Sequence, residues 1–304
     1  MKTINNCTII IDENQKQLYS HIEPLFPCTV YTTDFSNRVS LEISWHWHKD
    51  LEFILITEGN LFVDLGETSF TLEKGQLLFL NTNILHFMKK SSQQNCTAIT
   101  IVFDSELVGG HSESIYMERY ILPLLSCHNL NYLIFSPTIA WQKKCIDYFQ
   151  KACTLFIEEP PAFLFGIREQ LSYICYEMIQ NCQSELNKPC SHHTIEYERV
   201  KQLLEYIHMQ YNQAISLETL SIAANISQRE CFRCFQSILH TTPMAYITKY
   251  RISAALSLLQ NTTLSITEIA LSTGFNSSSY FSKVFREYMG VTPLHYRKNI
   301  LHET

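Results

Sequence analysis

Between residues 28 and 104 the chain alternates between apolar and polar positions in short runs, a pattern typical of half-buried β-strands. Turn-forming pairs such as Gly59-Asn60 and Gly66-Glu67 separate the runs. The pattern predicts strands at residues 28–33, 40–48, 51–57, 60–65, 68–72, 76–80, 84–88 and 96–103. Short strands joined by tight turns are typical of all-β barrels and sandwiches, so we expect a small antiparallel β-barrel in residues 1–110.

After Asp104 the apolar residues fall three and four positions apart, the period of an amphipathic helix. Two helices are indicated, the first by Ile139, Ile146, Phe149, Cys153 and Phe156 and the second by Phe163, Ile167, Leu171, Ile174 and Met178. Two roles are open for this pair: it could pack on the barrel, or it could offer an apolar face to a second copy of the chain. We assign residues 111–190 to a helical dimerisation and linker segment, with the polar stretch 184–194 as the linker itself.

From Ile195 onward the pattern is helical throughout, and the chain repeats itself. The stretch 216–220 recurs 49 residues later as 265–269, and Arg233, Phe235 and Tyr246 recur 50 residues later as Lys283, Phe285 and Tyr296. Two copies are too few for a solenoid, which needs about three or more repeats. The sequence therefore predicts an α+β multidomain protein with two similar all-α subdomains in residues 191–304.

Each copy is predicted to be a short helix, a turn and a second helix, at residues 216–236 and 265–286. This is the helix-turn-helix arrangement. Residues that begin and end helices support it: the spacing of a capping box occurs at Ser227 with Glu230 and at Ser265 with Glu268, and Gly274 is placed to end a helix.

The second helix of each copy carries polar and basic residues on the face that its apolar stripe leaves outside. In the first copy these residues are Gln228, Arg229 and Arg233, and in the second they are Ser278, Ser279, Tyr280 and Lys283, with Arg286 placed for a phosphate. Arginine pairs bidentately with guanine and glutamine with adenine in the major groove, whereas short hydroxyl side chains read bases weakly. We therefore expect the first copy to supply more of the sequence discrimination. A helical protein-binding module with solvated basic residues is the alternative.

A long helix is predicted between the two copies, over residues 243–260, with Pro243 at its first position. At about 1.5 Å per residue it would be roughly 27 Å long. Such a spacer could set the two second helices about 34 Å apart, which is one turn of DNA. A single chain would then reach two successive segments of the major groove.

Composition and charge narrow the function further. The 304 residues are 46% hydrophobic and 17% charged, which is ordinary for a globular protein and excludes disordered and collagen-like classes. Residues 191–304 carry a net charge of +2 and residues 1–190 a net charge of −8. Only the carboxyl-terminal half is therefore suited to a polyanion, while the acidic half favours a neutral or cationic small molecule. With no apolar run long enough for a membrane helix and no recognisable signal peptide, we expect a cytoplasmic protein that does not contact a membrane.

The chain holds 11 cysteines, which is an odd number scattered mostly over apolar positions, so we expect reduced thiols in the cores. Cys231 and Cys234 form a C-x-x-C pair. No second cysteine pair lies nearby in the sequence to complete a tetrahedral metal site, so we interpret both as core thiols.

Residues 215–298 resemble the DNA-binding domain of the AraC/XylS family of transcription regulators over its whole length. The resemblance is carried by the strings ISLETLSIAANISQRECFRCFQ, TTPMAYITKYRISAALSLLQ and LSITEIALSTGFNSSSYFSKVFREYMGVTPLHYRK. It implies seven helices in two helix-turn-helix subdomains that bind operator DNA. It also implies base-facing roles for Arg229, Phe232, Arg233, Ser278, Ser279, Tyr280 and Lys283. Phe232 departs from the polar residue often found at its position and could instead contact a thymine methyl group.

A cluster of side chains suited to binding lies in the predicted barrel: Trp45, His46, Trp47, His48 and Glu52, with His86 on a later strand. Side chains alternate along a strand, so residues 46, 48 and 52 can share a face if the strand continues or bends between them. Three imidazoles and a carboxylate suit a divalent first-row metal, which makes His46, His48, Glu52 and His86 a candidate metal site.

The spacing in this cluster is similar to cupin motifs. The arrangement H-x-H-x3-E-x6-G ends at Gly59 and resembles the first motif, and Gly75 with His86 resembles the second. In the second motif Asn81 and Asn83 stand where cupins usually have Pro and Gly. The predicted barrel is therefore cupin-like.

Three interpretations of the cluster compete. It could be the centre of a metal-dependent cupin enzyme or metal sensor, a metal-free pocket for a hydroxyl-rich effector such as a sugar, or a set of structural histidines. Nothing else in the sequence supplies a substrate-specific acid, base or nucleophile. The family resemblance favours an effector pocket in a homodimeric transcription regulator that is not an enzyme. RNA polymerase is then a candidate partner of an activator.

Overall fold

A computed structural model describes residues 25–35, 42–91, 95–188 and 195–303. The chain divides into two compact units, with the described residues up to 188 in the first and those from 195 onward in the second. Within the described ranges, no helix combines the length and the apolar character needed to cross a bilayer.

The first unit is a sandwich of two antiparallel β-sheets. Its strands are β1 (Cys28–Asp34), β2 (Glu42–His46), β3 (Leu51–Glu58), β4 (Asn60–Asp64), β5 (Ser69–Glu73), β6 (Leu77–Leu80), β7 (His86–Lys90), β8 (Thr97–Phe103) and β9 (Tyr132–Phe135). One sheet has the order β1-β8-β3-β6-β9 and the other the order β2-β7-β4-β5. The predicted strands are present, with ends shifted by a few residues, while residues 40 and 41 lie outside the described ranges. Strand β9 was not predicted.

The five-stranded sheet is buried on both faces. Along β3, Phe53 and Leu55 lie in one apolar core and Ile54 and Ile56 lie in another, because successive side chains point to opposite faces. The second core fills the space against the four-stranded sheet, which contributes Leu61, Val63, Leu72 and Met88. The first core continues into the helices that follow the strands.

Seven helical segments of different lengths are described between residues 106 and 186 of the first unit. They are α1 (Glu106–Gly109), a π-helical segment (Met117–Ile121), α2 (Leu122–Leu125), a 3-10 turn (His128–Leu130), α3 (Ala140–Glu158), α4 (Phe163–Asn181) and α5 (Gln183–Leu186). Ile146 and Phe149 of α3 and Ile167, Leu171 and Ile174 of α4 belong to the same core as Phe53. The inner faces of the helix pair therefore pack on the sheet, as the first of the two predicted roles requires.

The second unit is all helical between residues 195 and 303. It contains α6 (Ile195–Gln210), α7 (Leu217–Ala223), α8 (Gln228–Leu239), α9 (Pro243–Asn261), α10 (Ile266–Ser272), α11 (Ser278–Met289) and α12 (Pro293–Glu303). The sequence repeat is a structural repeat, because Phe235 and Tyr246 form an edge-to-face pair with centroids 5.9 Å apart, and Phe285 and Tyr296 form a matching pair at 5.7 Å. The seven helices described between residues 195 and 303 confirm the number that the family resemblance implied.

The predicted caps of the two helix-turn-helix copies differ in the structure. Ser265 and Glu268 form the predicted capping box at α10, and Gly274 follows this helix with φ +83°. At α8 the Ser227 hydroxyl accepts the Glu230 amide as predicted, but the Glu230 carboxylate does not complete the box. It is drawn instead to two arginines, described below, because a guanidinium binds a carboxylate more strongly than a neutral amide does.

Two turn glycines of the first unit share a left-handed backbone but differ in their surroundings. Gly59, between β3 and β4, has φ +69°, and a Cβ there would lie 1.9 Å from the carbonyl oxygen of Asn95. Gly75 has φ +86°, and nothing lies within 4 Å of the equivalent position. Gly75 is therefore a matched control for Gly59.

We expect Gly75→Ala to lower the free energy of unfolding by about 1–2 kcal/mol, the cost of a left-handed non-glycine residue. Gly59→Ala should lower it by about 3 kcal/mol or more, because the added methyl group also collides with backbone. Urea denaturation of both variants measures the difference. Equal losses would contradict the steric argument for Gly59.

Candidate functional site

The exposed face of α8 carries the residues that the sequence assigned to the first recognition helix. Cys231, Cys234 and Phe235 are buried against the rest of the unit. The opposite face is exposed and presents Gln228, Arg229, Phe232 and Arg233. The apolar stripe predicted from the sequence therefore has the correct phase, and Phe232 is 44% exposed.

Arg233 is engaged in ion pairs. Its guanidinium contacts the Glu196 carboxylate of α6 and forms a two-pronged pair with Glu230, at 2.7 Å from Nη2 and 3.1 Å from Nε. The hydrogen bond to Glu230 raises the pKa of Arg233 above its ordinary value. Glu230 also accepts from Arg199 Nη1 at 2.7 Å. The sequence did not indicate this network, because Arg199 and Glu196 lie on a different helix more than 30 residues away.

Arg229 is different, because no ion pair with a described residue engages it and its side chain is exposed. On α11 the buried residues are Phe281, Val284 and Phe285. The exposed face carries Ser279, Tyr280, Lys283 and Arg286, and Ser278 is half-buried in the first turn. Neither Lys283 nor Arg286 forms an ion pair within the described ranges, so the cations of the second recognition helix are free to meet phosphate.

The nine described cysteines are all buried and unbridged, as predicted, while Cys7 and Cys190 lie outside the described residues. Cys231 and Cys234 are fully buried in the core of the first helix-turn-helix copy. Burial raises the pKa of the Cys231 thiol to about 11. A thiol with so high a pKa is a poor nucleophile and metal ligand, so both residues act as core thiols.

The predicted histidine cluster forms where the two sheets of the first unit meet. His46 of β2 lies directly opposite His86 of β7 in the four-stranded sheet. Glu52 comes from β3 of the five-stranded sheet, and His48 lies in the connection between β2 and β3. One candidate ligand atom from each histidine can be chosen so that all three lie within 4.8 Å of one another, and all four side chains are buried.

A β-bulge in β2 aims His46 inward. Ile43 pairs with Met88 and His46 with His86, so β2 has one residue more than β7 over this stretch. The extra residue reverses the alternation, which places both Ile43 and His46 toward the interior. Trp45 consequently lies on the outer face, where its ring is 5.6 Å from that of Phe87. Of the two tryptophans predicted to bind the effector, Trp45 is buried and Trp47 is half-buried in the connection.

Backbone carbonyls orient all three imidazoles. Nδ1 of His46 lies 2.8 Å from the Ser44 oxygen, that of His48 lies 2.9 Å from the Asp50 oxygen, and that of His86 lies 2.8 Å from the Ile84 oxygen. A carbonyl oxygen only accepts, so each Nδ1 must carry the proton and donate it. In a neutral ring Nε2 is then the atom with the free lone pair.

Glu52 closes the cluster. Its Oε2 lies 3.2 Å from His48 Nε2 and 3.4 Å from His86 Nε2, and its Oε1 accepts from the Tyr31 hydroxyl at 3.4 Å. Burial lowers the pKa of His86 to about 4, so this ring is neutral at physiological pH. Burial also lowers the pKa of His48, but the hydrogen bond and charge of Glu52 outweigh it and raise the pKa above its usual value.

Sequence reasoning missed Tyr31 and gave no role to the two asparagines of the second motif. Tyr31 carried no motif, and only the pairing of β1 with β8, beside β3, brings it to Glu52. Asn81 donates to the Leu124 and Leu130 carbonyls and ties the end of β6 to the helical segment. Asn83 has φ +60°, a left-handed conformation in which asparagine replaces glycine at low cost. Both departures from the cupin pattern thus have a structural reason.

Comparison with known proteins matches each unit to a family. Residues 39–126 match the AraC-like ligand binding domain, and residues 220–299 match a helix-turn-helix domain. An uncharacterised HTH-type transcriptional regulator of Bacillus subtilis, YdeC, is 31% identical over 95% of this chain and 98% of its own length. The chain belongs to the AraC family of helix-turn-helix transcriptional regulators. It is a DNA-binding regulator with a ligand-binding domain, and the alternative of a cupin enzyme is wrong.

Other proteins are also similar over most of the chain. The Msm operon regulatory protein of Streptococcus mutans is 25% identical over 82% of this chain and 84% of its own. Among solved structures, unsaturated fatty acid bound ToxT from Vibrio cholerae has a TM-score of 0.46 and 15% identity, covering 89% of this chain and 95% of that one.

The ion pairs of Arg233 are expected to limit the affinity of this AraC-family regulator for DNA. We expect Glu196→Gln to strengthen binding to duplex DNA several-fold, because it removes a negative charge beside the recognition helix and releases one contact of Arg233. Glu205→Gln, at an exposed position of the same helix, is the matched control. Fluorescence anisotropy at fixed salt measures both, and unchanged or weaker binding by Glu196→Gln would contradict the prediction.

Proposed function

We propose that the regulator reads its operator with α8 and α11 and changes its activity when a small effector binds at the buried histidine cluster of the first unit. The observation that carries the DNA-binding part is the exposed face of each recognition helix, with Gln228 and Arg229 on α8 and Tyr280 and Lys283 on α11. Activation through RNA polymerase stays a prediction of the family resemblance.

The two helices are proposed to contribute unequally and by different chemistry. Arg229 is exposed and forms no ion pair with a described residue, so it is the cation of α8 best placed for bidentate contact with guanine. Arg233 reaches a base only by leaving Glu196 and Glu230. Lys283 and Arg286 on α11 supply charge for the backbone, and Ser278 and Ser279 supply short hydrogen-bonding groups.

The experiment uses an operator selected by the full-length protein from random duplex DNA. We expect Arg229→Ala to cost about 1–3 kcal/mol of binding free energy and to relax selectivity at one base position. Arg286→Ala should weaken binding to all sequences alike and reduce the slope of log affinity against log salt by about one. Lys74→Ala, at an exposed position of the first unit away from α4, is the control. If Arg229→Ala weakens binding to all DNA sequences equally, α8 does not recognise bases through this residue.

The effector site is proposed at His46, His48, Glu52 and His86, where two sheets meet. Among the described residues, the three histidines are the only set of three or more His, Cys, Asp or Glu side chains close enough to share one ion-sized ligand, and Glu52 contacts two of them. A sugar, which the sequence suggested, would need room for several hydroxyl groups beside them. The mutual closeness of the ligand atoms and their burial favour a smaller ligand.

We further propose that α4 forms the interface of a homodimer. Its outer face presents Phe165 at 75% exposure and Tyr176 at 57%, beside a groove of about 640 Å³ that Tyr116 and Tyr120 also line. Exposed aromatic residues in one patch are typical of interfaces. Arg168 and Glu169 stand side by side on this face, so two copies related by a twofold axis could pair opposite charges.

We expect Tyr176→Glu to shift the protein from dimer to monomer, because the charge would be buried unpaired in the interface. Lys151→Glu, which changes an exposed position of α3, should leave the dimer intact. Sedimentation velocity at micromolar concentration measures both. A wild-type monomer, or a dimer that survives Tyr176→Glu, would show that α4 is not the interface.

A further inference from the structure

The arrangement of the histidine cluster carries an inference about its ligand. We propose that His46, His48 and His86 bind a divalent first-row transition-metal ion, such as Zn²⁺ or Co²⁺, with the Glu52 carboxylate beside His48 and His86 to balance its charge. The inference rests on the proposed function, because it concerns the same cluster that we propose as the effector site. It adds the chemical class of the ligand that binds there.

The first argument is preorganisation. Three separate carbonyls, from Ser44, Asp50 and Ile84, each hold one Nδ1 proton, so the backbone fixes the tautomer that leaves Nε2 for a ligand. Histidines that bind metals almost always donate their other ring nitrogen in this way, because the contact orients the ring and strengthens it as a ligand. These backbone contacts fix the three rings, and Nε2 of His48 and Nε2 of His86 lie 3.2 Å and 3.4 Å from the same Glu52 oxygen.

The second argument is the state of His86. This side chain is 1% exposed, and its Nε2 has no hydrogen-bond partner within the described residues, although Glu52 Oε2 lies 3.4 Å away. A buried polar atom without a partner costs free energy, and native structures rarely leave one unless a ligand or water completes it. A metal ion placed among the three rings would accept this lone pair.

The chemistry of the donors selects the class of ion. Three imidazole nitrogens beside a carboxylate suit zinc and its first-row neighbours, while Ca²⁺ and Mg²⁺ prefer all-oxygen sites. Three imidazoles supply three of the four positions of a tetrahedral ion, as in catalytic zinc sites that keep one position open. The buried thiols are not part of the set, because no described cysteine belongs to this group.

The position of the cluster supplies a physical link to regulation. His46 and His86 belong to the four-stranded sheet and Glu52 to the five-stranded sheet, whose other face packs on α3 and α4. One ion bound to the histidines, with its charge balanced by Glu52, would join the two sheets at this edge. It would also raise the stability of the first unit by mass action, with the logarithm of the ratio of the ion concentration to its dissociation constant.

The test uses untagged full-length protein that has been stripped with a chelator and titrated with Co²⁺. We expect a visible d–d absorption band that saturates at about one ion per chain, with no near-ultraviolet band from thiolate ligands. Zn²⁺ should abolish the band by displacement and raise the melting temperature. His86→Ala and Glu52→Gln should weaken or remove the band and the thermal shift, while His295→Ala, at an exposed position of the second unit, should leave both unchanged.

Circular dichroism of each variant shows whether it is folded, and His46→Gln, which keeps a polar side chain, serves if His86→Ala unfolds. A wild-type protein that shows neither the band nor a thermal shift at millimolar Co²⁺ or Zn²⁺ would overturn the metal site. A band that survives in every folded ligand variant, or that carries thiolate transitions, would overturn it as well.

DNA affinity with and without Zn²⁺ separates this inference from the proposed function. Saturable Co²⁺ binding at the cluster with unchanged DNA affinity and transcription supports the metal site and contradicts the proposal that this cluster controls the regulator. An effect of a metal-free organic effector on DNA binding, lost in Glu52→Gln while Co²⁺ gives no band, contradicts the metal site and supports effector control.

Discussion

The structure of the first unit depends on a five-stranded sheet that is buried on both faces. Because β3 lies near its centre and alternates between two cores, Phe53 packs toward the helices and Ile54 toward the second sheet. Glu52, at the start of the same strand, has the parity of Ile54 and therefore points into the sandwich. A carboxylate there must be paired with other polar groups, since burying it alone is costly. His48 in the connection and His86 of the opposing sheet meet that need, so the fold and the site share one constraint.

The parts of the fold that follow from local interactions were predictable from the sequence. Turn glycines and alternating runs located the first eight strands, and the repeat with its caps located both helix-turn-helix copies, because these signals lie within a few residues of the structure they specify. Strand β9 was not predicted, since Tyr132–Phe135 forms a strand only by pairing with β6, more than 50 residues earlier. The type of an element is a local property, whereas the partner that completes it often is not.

The same distinction explains what the sequence showed of the site. The four residues His46, His48, Glu52 and His86 were identified together from residue types and spacing. The three histidines do meet, and Glu52 contacts His48 and His86. The prediction assumed that residues 46, 48 and 52 share a face because they have the same parity along one strand. In the structure β2 and β3 belong to different sheets, and a bulge in β2 turns His46 inward. A single sequence does not show where a bulge lies. The sequence alone therefore could not show which way the side chain of Trp45, next to His46, points. Tyr31 was invisible for a related reason, because its contact depends on a neighbouring strand.

The two helix-turn-helix copies show that a repeated fold does not imply repeated electrostatics. Both bury the same Phe-Tyr pair, yet Arg233 of the first copy faces Glu196 and Glu230, while Lys283, its equivalent in the second, forms no ion pair with a described residue. A cation already paired with carboxylates gains less from a phosphate, because it must first give up those contacts. Long-range attraction to DNA should thus come mainly from the second copy. Arg233 would then bind DNA only where a matching base compensates for the ion pairs with Glu196 and Glu230 that it gives up. The free energy of breaking those pairs would itself be a source of selectivity.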